Sequence, residues 1–192
     1  MHKLAEYIVS LLEKKGIISS SSHELYVYGF SQLIYTFVST TALILIGLFF
    51  HRPLETIVLI SLFYTNQTVG GGFHANSHLT CFLCMSVGLL LFLLSFKFPC
   101  SQGMLIFLFV ISFLALFLRP LVLHENKLFL ADQSVKLIKK SRLVLCMESS
   151  VFLLLFVLQK PNLIHACSLS MVLSACSRIA AILIGRGKSF TS

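Results

Sequence analysis

Two histidines and a thiol stand inside one glycine-rich island, Gly70-Gly71-Gly72-Phe73-His74-Ala75-Asn76-Ser77-His78-Leu79-Thr80-Cys81. A cysteine paired with a histidine can serve as nucleophile and base, the imidazole taking the thiol proton and the thiolate attacking a carbonyl. Long apolar runs flank the island, Thr56 to Tyr64 before it and Phe82 to Phe96 after it. Ionisable groups so close to lipid-compatible runs are costly to keep, so the island is a functional-site candidate.

His74 and Cys81 are seven residues apart. On one continuous helix they would share a face but lie roughly 10.5 Å apart along the axis, too far for a hydrogen bond. A working pair therefore needs a bend between them. Three successive glycines tolerate unusual backbone angles, and Ser77 is a good N-cap for a helix that starts after it. Cys81 then falls in or just beyond the first turn, where the positive end of the helix dipole favours a thiolate. The amides of Gly70, Gly71 and Gly72 are candidates for an oxyanion hole.

A different chemistry competes. His74, His78 and Cys81 are spaced i, i+4, i+7, and Cys84 completes a C-x-x-C. If the segment were helical, this stripe would suit a metal-binding membrane protein or transporter. Against it stand the glycines before His74 and the lack of a second His/Cys cluster. Cys84, Cys146, Cys167 and Cys176 otherwise read as small apolar fillers, and His2, His23, His51 and His124 as solvated side chains.

The elements that must position the island are membrane helices. Of the 192 residues, 57% are hydrophobic and only 11% charged, against roughly 25% charged in a soluble domain. Six segments approach the length of a bilayer span: Leu25 to Phe50, Pro53 to Val69, Leu79 to Phe96, Gln102 to Leu118, Leu143 to Leu158 and Asn162 to Ile184. The last two carry internal charges, Glu148 in one and Arg178 in the other. A pair between these two would neutralise both. The expected fold is all-α, a single integral membrane domain over 1–192, with a bundle over 25–185. Residues 1–20 are expected to hold an amphipathic interfacial helix with Leu4, Ile8, Leu11 and Leu12 on its apolar face. This charged start does not read as a cleavable signal. Ser21 and Glu24 resemble a capping box for the first span.

Basic residues set the orientation. Six spans put eleven of the fifteen Lys and Arg residues on the side of the termini and only Arg52, Lys97 and Lys160 on the other. The island and the basic loop from Arg119 to Arg142 are thus expected in the cytoplasm. The net charge of +8 is then a topology signal, which argues against nucleic-acid binding. Reduced thiols are the expectation there.

The stretch Gly71-Gly72-Phe73-His74-Ala75, followed by Cys81, resembles the accessory gene regulator B (AgrB) family of bacterial membrane peptidases, whose hallmark is G-G-x-H-A with a cysteine seven residues after the histidine. The likeness runs along nearly the whole chain. Glu24 with Tyr28-Gly29 is similar to the family's start. Arg119-Pro120, Glu125-Asn126-Lys127 and Lys136-Leu137-Ile138-Lys139-Lys140-Ser141-Arg142 are similar to its basic loop. The chain departs from the pattern at Asn66-Gln67-Thr68, where many members have an arginine.

The resemblance implies a cysteine endopeptidase of the bacterial cell membrane that cuts a quorum-sensing peptide precursor. It implies His74 as base, Cys81 as nucleophile, and transfer of the acyl group to a Cys or Ser of the peptide, giving a thiolactone or lactone. It implies no cofactor and no catalytic role for His78 or Cys84. Lys136, Lys139, Lys140 and Arg142 are implied to dock an acidic tail of the precursor. Contact with anionic lipids is their simpler role. Polytopic peptidases of this size often pair, so a homodimer is a candidate assembly.

Overall fold

The computed structural model describes residues 2–73, 77–98, 100–124, 131–184 and 187–190. Within them run seven α-helices: α1 (His2–Lys14), α2 (His23–Phe49), α3 (Pro53–Gly70), α4 (His78–Ser95), α5 (Gln102–Leu118), α6 (Ala131–Val157) and α7 (Pro161–Leu183). The last six follow the six apolar segments closely. Only α6 differs much in extent, because its first turns come from the basic loop. Among the described residues two helices are long and apolar enough to cross a membrane: α2 with the turn before it, Ser20–Phe49, and α7, with mean hydropathies of 1.8 and 1.7. Leu79–Ser95 and Gln102–Leu118 are shorter apolar helices.

Contacts divide the chain into two compact units, Met1–Ile46 and Gly47–Ser192. In the first, α1 packs on α2 through Ala5 and Val9, both fully buried against Val27, with Ile18, Phe30 and Ile34 around them. Leu4 and Leu11 of the expected apolar face are 52% and 40% exposed, and the contact with α2 is made by Ala5 and Val9 instead. Leu4, Tyr7 and Leu11 form a second apolar edge that α2 does not cover. Ser21 belongs to a 3-10 turn, Ser20–Ser22, and the group that ties the junction is Glu13, 2.8 Å from His23 Nδ1. Hydrogen bonds from Ser20 and then His23 hold the Glu13 carboxyl below the usual carboxylate range. A lowered folded-state pKa stabilises above the ordinary value and stops doing so as pH falls through the lowered one.

In the second unit α7 is the hub. Leu105, Phe109 and Leu116 of α5, Leu145 and Phe152 of α6, and Ile164, Cys167, Met171 and Ala175 of α7 form one core. Phe109 stacks on Phe152 with centroids 3.9 Å apart. Proline occupies the first turn of both α3 and α7, where its missing N–H costs nothing. Ser101 caps α5 by accepting from Met104 N.

The all-α expectation needs one addition. Leu121–His124 (β1) pairs antiparallel with Gly187–Phe190 (β2), Leu121 opposite Phe190 and His124 opposite Gly187. Val122 of β1 also makes a parallel bridge to Gly71. A four-residue strand whose partner is distant in sequence leaves no periodic signal of its own.

Candidate active site

The glycine run begins where α3 ends. Gly70 is the last residue of α3, and Gly71 caps it with φ 70°, its N–H donating to Gln67 O at 3.1 Å. A side chain at Gly71 would overlap the carbonyl of Val122 in β1, and one at Gly72 would overlap the amide end of Gln67 and lie 2.7 Å from Ser177 Oγ. Close approach of other backbone and side chains is therefore what these glycines provide here. The Gly71 amide is occupied by the helix end, so it would have to leave Gln67 O to serve an oxyanion.

Phe73 is held by α7. Its N–H donates to both the carbonyl and the hydroxyl of Ser177, at 3.1 and 3.0 Å. Gln67 Nε2 donates to the same hydroxyl at 2.6 Å. His74, the next residue, lies outside the described residues, as do Ala75 and Asn76.

The chain becomes helical again at the expected place. Ser77 is extended (φ −130°, ψ 149°) and its Oγ accepts from Thr80 N at 3.1 Å, the N-cap that the sequence reading assigned. Cys81 N donates to Ser77 O at 3.1 Å, the first full α-helical bond of α4. An extended Ser77 also interrupts any helical stripe from His74 to Cys81, which the metal reading needs. The side chain of His78 and all of His74 lie outside the described residues, so that ligand set has no geometry here. Among the described residues no three His, Cys, Asp or Glu side chains cluster as a metal site.

Cys81 and Cys84 differ in placement. Cys81 is half-buried and Cys84 exposed. Along α4, Cys81, Gly88 and Ser95 recur every seven residues and share one face. Ser95 Oγ lies 3.0 Å from His165 Nε2, and a Cβ on Gly88 would touch Leu173 at 3.5 Å. The two helices therefore run antiparallel. Two more turns along the same line set Cys81 level with the C-terminal turns of α7, the region where Ser177 holds Phe73. Phe73, the residue before His74, is held at this end of α7, and the line from Ser95 through Gly88 extends toward it at Cys81.

Beneath this end lies a buried polar group. Arg178 Nη1 donates to the carbonyls of Arg119 and Pro120, both at 3.0 Å, and more weakly to Leu116 O at 3.4 Å. Its Nη2 lies 3.5 Å from Asn66 O. Glu148 takes its hydrogen bond from Asn66 Nδ2 at 2.6 Å. The expected Glu148–Arg178 pair is thus mediated: Asn66 meets one with its side chain and the other with its carbonyl. Arg178 satisfies carbonyls that the end of α5 leaves open.

The basic loop resolves into two parts. Lys136, Lys139 and Lys140 are exposed on one face of α6, opposite Ile138, Ser141 and Leu145. Arg142 turns away from them, its guanidinium 5.3 Å from the Phe117 ring. Glu125, Asn126 and Lys127 lie outside the described residues.

Sequence reasoning missed Gln67 and Ser177. The available signals were an Asn-Gln pair ending an apolar run and the spacing Ser170, Ser174, Ser177 on one helical face. Residues 2–180 match the family model described as Accessory gene regulator B. Neither a curated protein nor a solved structure matches the chain.

Proposed function

The chain belongs to the accessory gene regulator B family, a membrane-associated family of autoinducing-peptide processing, and from that premise we propose that it is a membrane-embedded cysteine endopeptidase. The observation that carries this reading is the placement of Cys81. It sits half-buried in the capped first turn of α4, on the heptad line of Gly88 and Ser95, the two residues that approach α7.

The chemistry follows from those positions. His74 takes the Cys81 proton, and the thiolate adds to the scissile carbonyl of the precursor. The carbon–nitrogen bond breaks as the imidazolium returns its proton to the leaving amine, and an acyl thioester remains on Cys81. A Cys or Ser side chain of the bound peptide then gives its proton to the now neutral His74 and attacks that thioester, the acyl C–S bond to Cys81 breaks, and Cys81 leaves as thiolate paired with the imidazolium. The product is a thiolactone or lactone ring. An internal nucleophile held close enjoys a high effective molarity over water, and thioester-to-thiolactone exchange conserves the acyl energy. The excess of basic residues on the side of the termini supports a topology of six spans, with α1 at the interface through Leu4, Tyr7 and Leu11 and the site facing the cytoplasm.

The direct test uses purified protein in lipid vesicles with a precursor peptide. Mass spectrometry should find the N-terminal part of the precursor attached to the tryptic fragment containing Cys81, and a cyclic product in solution. Cleavage without any adduct on Cys81 would remove the basis of the proposal.

The exposed lysines of α6 fit docking of an acidic segment of the precursor. Single exposed ion pairs are worth little, but three acting together contribute about 1–2 kcal/mol. Replacing Lys136, Lys139 and Lys140 together with Gln is expected to lower kcat/KM roughly tenfold. Neutralising the precursor's acidic segment should shrink that defect, and high salt should imitate it. Normal processing by the triple variant at both salt levels leaves these lysines as a topology signal only.

A further inference from the structure

Three hydrogen bonds converge on Ser177. Its hydroxyl and its carbonyl both accept from Phe73 N, and its hydroxyl also accepts from Gln67 Nε2. Gln67 is in the last turn of α3, and Ser177 is 110 residues away on α7. The glycine between them is fitted to this arrangement, since a Cβ at Gly72 would overlap the Gln67 amide and crowd the Ser177 hydroxyl.

We infer that Gln67 and Ser177 form a clamp that sets the position of His74, which makes both of them positioning residues for the reaction proposed above; the inference rests on that reading. An imidazole must lie within hydrogen-bond reach of the thiol to take its proton. Gly71, Gly72 and Phe73 leave the end of α3 as non-helical backbone, and such backbone is tolerated at membrane depth only where its polar groups are satisfied within the protein. The clamp satisfies Phe73 N–H one residue before His74. It also ties that point to α7, the helix that α4 approaches through Ser95 and Gly88. Base and nucleophile are thereby referred to one rigid element. An ordinary interhelical hydrogen bond would join α3 to α7 without involving the loop. Here the shared acceptor is also the loop's anchor.

The experiment measures precursor cleavage by the full-length protein in vesicles, with wild type, Ser177→Ala, Gln67→Ala and the double variant. Ser174→Ala, a buried serine one turn away on α7, is the packing control. The clamp predicts that Ser177→Ala lowers kcat about tenfold with KM little changed. That is less than the roughly hundredfold cost of a 1 Å misplacement, because the Ser177 carbonyl still holds Phe73. Gln67→Ala should lose a similar factor, and the double variant should be no worse than the poorer single one, since both changes open one device. Ser174→Ala should keep wild-type kcat, and the thermal midpoints of the single variants should stay close to it.

Unchanged kcat in Ser177→Ala, or a double variant whose losses multiply, overturns the clamp. A kcat loss matched by Ser174→Ala, with falling thermal midpoints, overturns it as well in favour of helix packing. Cys81→Ser, assayed in parallel, separates the two levels. If it still cleaves, the catalytic reading fails. If it is dead while Ser177→Ala is normal, only the clamp fails.

Discussion

Cys81→Ser is expected to abolish precursor cleavage, while Cys84→Ser keeps it within about twofold, as exposed substitutions away from the machinery usually do. The two thiols are one helical turn apart, so general effects of removing a cysteine from α4 apply to both. What differs is position. Cys81 is half-buried, follows directly on the capped turn at Ser77 and lies on the heptad line of Gly88 and Ser95, which approach α7. Cys84 is exposed. A serine at position 81 keeps the shape but is a far weaker nucleophile, and loss of a nucleophile typically costs roughly 10³-fold or more. Single-turnover cleavage of a labelled precursor, read by gel and mass spectrometry, measures both variants. His74→Ala should lose about 10²–10⁴-fold, the scale of a missing general base, with His78→Ala mild. Equal losses in both histidine variants, with stoichiometric metal in the purified protein, would instead support a metal site. Activity in Cys81→Ser together with a dead Cys84→Ser would reverse the assignment of the nucleophile.

Arg178→Ala is expected to destabilise the Gly47–Ser192 unit by about 3–5 kcal/mol, the range for breaking a buried charged network. The side chain is 2% exposed and its guanidinium joins the end of α5 to α3 from within α7. Its loss strands the carbonyls of Arg119 and Pro120 and leaves a cavity. Gly70→Ala attacks the same device from the other side. A methyl there overlaps the guanidinium and lies 2.9 Å from Pro120 O. Such an overlap with the tip of a long side chain is ordinarily relieved by a small rotation. Here the tip is held by several carbonyls, so it resists. The two substitutions should therefore couple: Gly70→Ala should cost clearly less in the Arg178→Ala background, where the space is vacant. Thermal unfolding in a fixed detergent, with all four proteins compared, reads the coupling. Strict additivity would mean that Gly70 and Arg178 do not share this space.

Helix positions were legible in the sequence because each depends on neighbours along the chain. The apolar runs, Pro53 and Pro161 at first turns, and Ser77 before His78 are local signals, and α3, α4, α5 and α7 appear where these put them. The motif that carries the family likeness is local too, and so is the break between His74 and Cys81 that a nucleophile–base pair requires. On α1 periodicity selects Leu4 and Leu11, which stay exposed, whereas the contact of Ala5 and Val9 with α2 has no local signal.

Tertiary structure alone decided which polar groups meet. Arg178 could be expected to seek a partner, but nothing local says that the partners are the open carbonyls of α5 and Asn66 rather than Glu148. Ser177 is one of several serines on α7, and only its meeting with Gln67 and Phe73 singles it out. The pairing of β1 with β2 has the same character. These contacts join residues far apart in the chain, and their energies depend on distance and desolvation after the helices pack. A sequence displays the groups that must be satisfied, whereas the packed fold determines which group satisfies which.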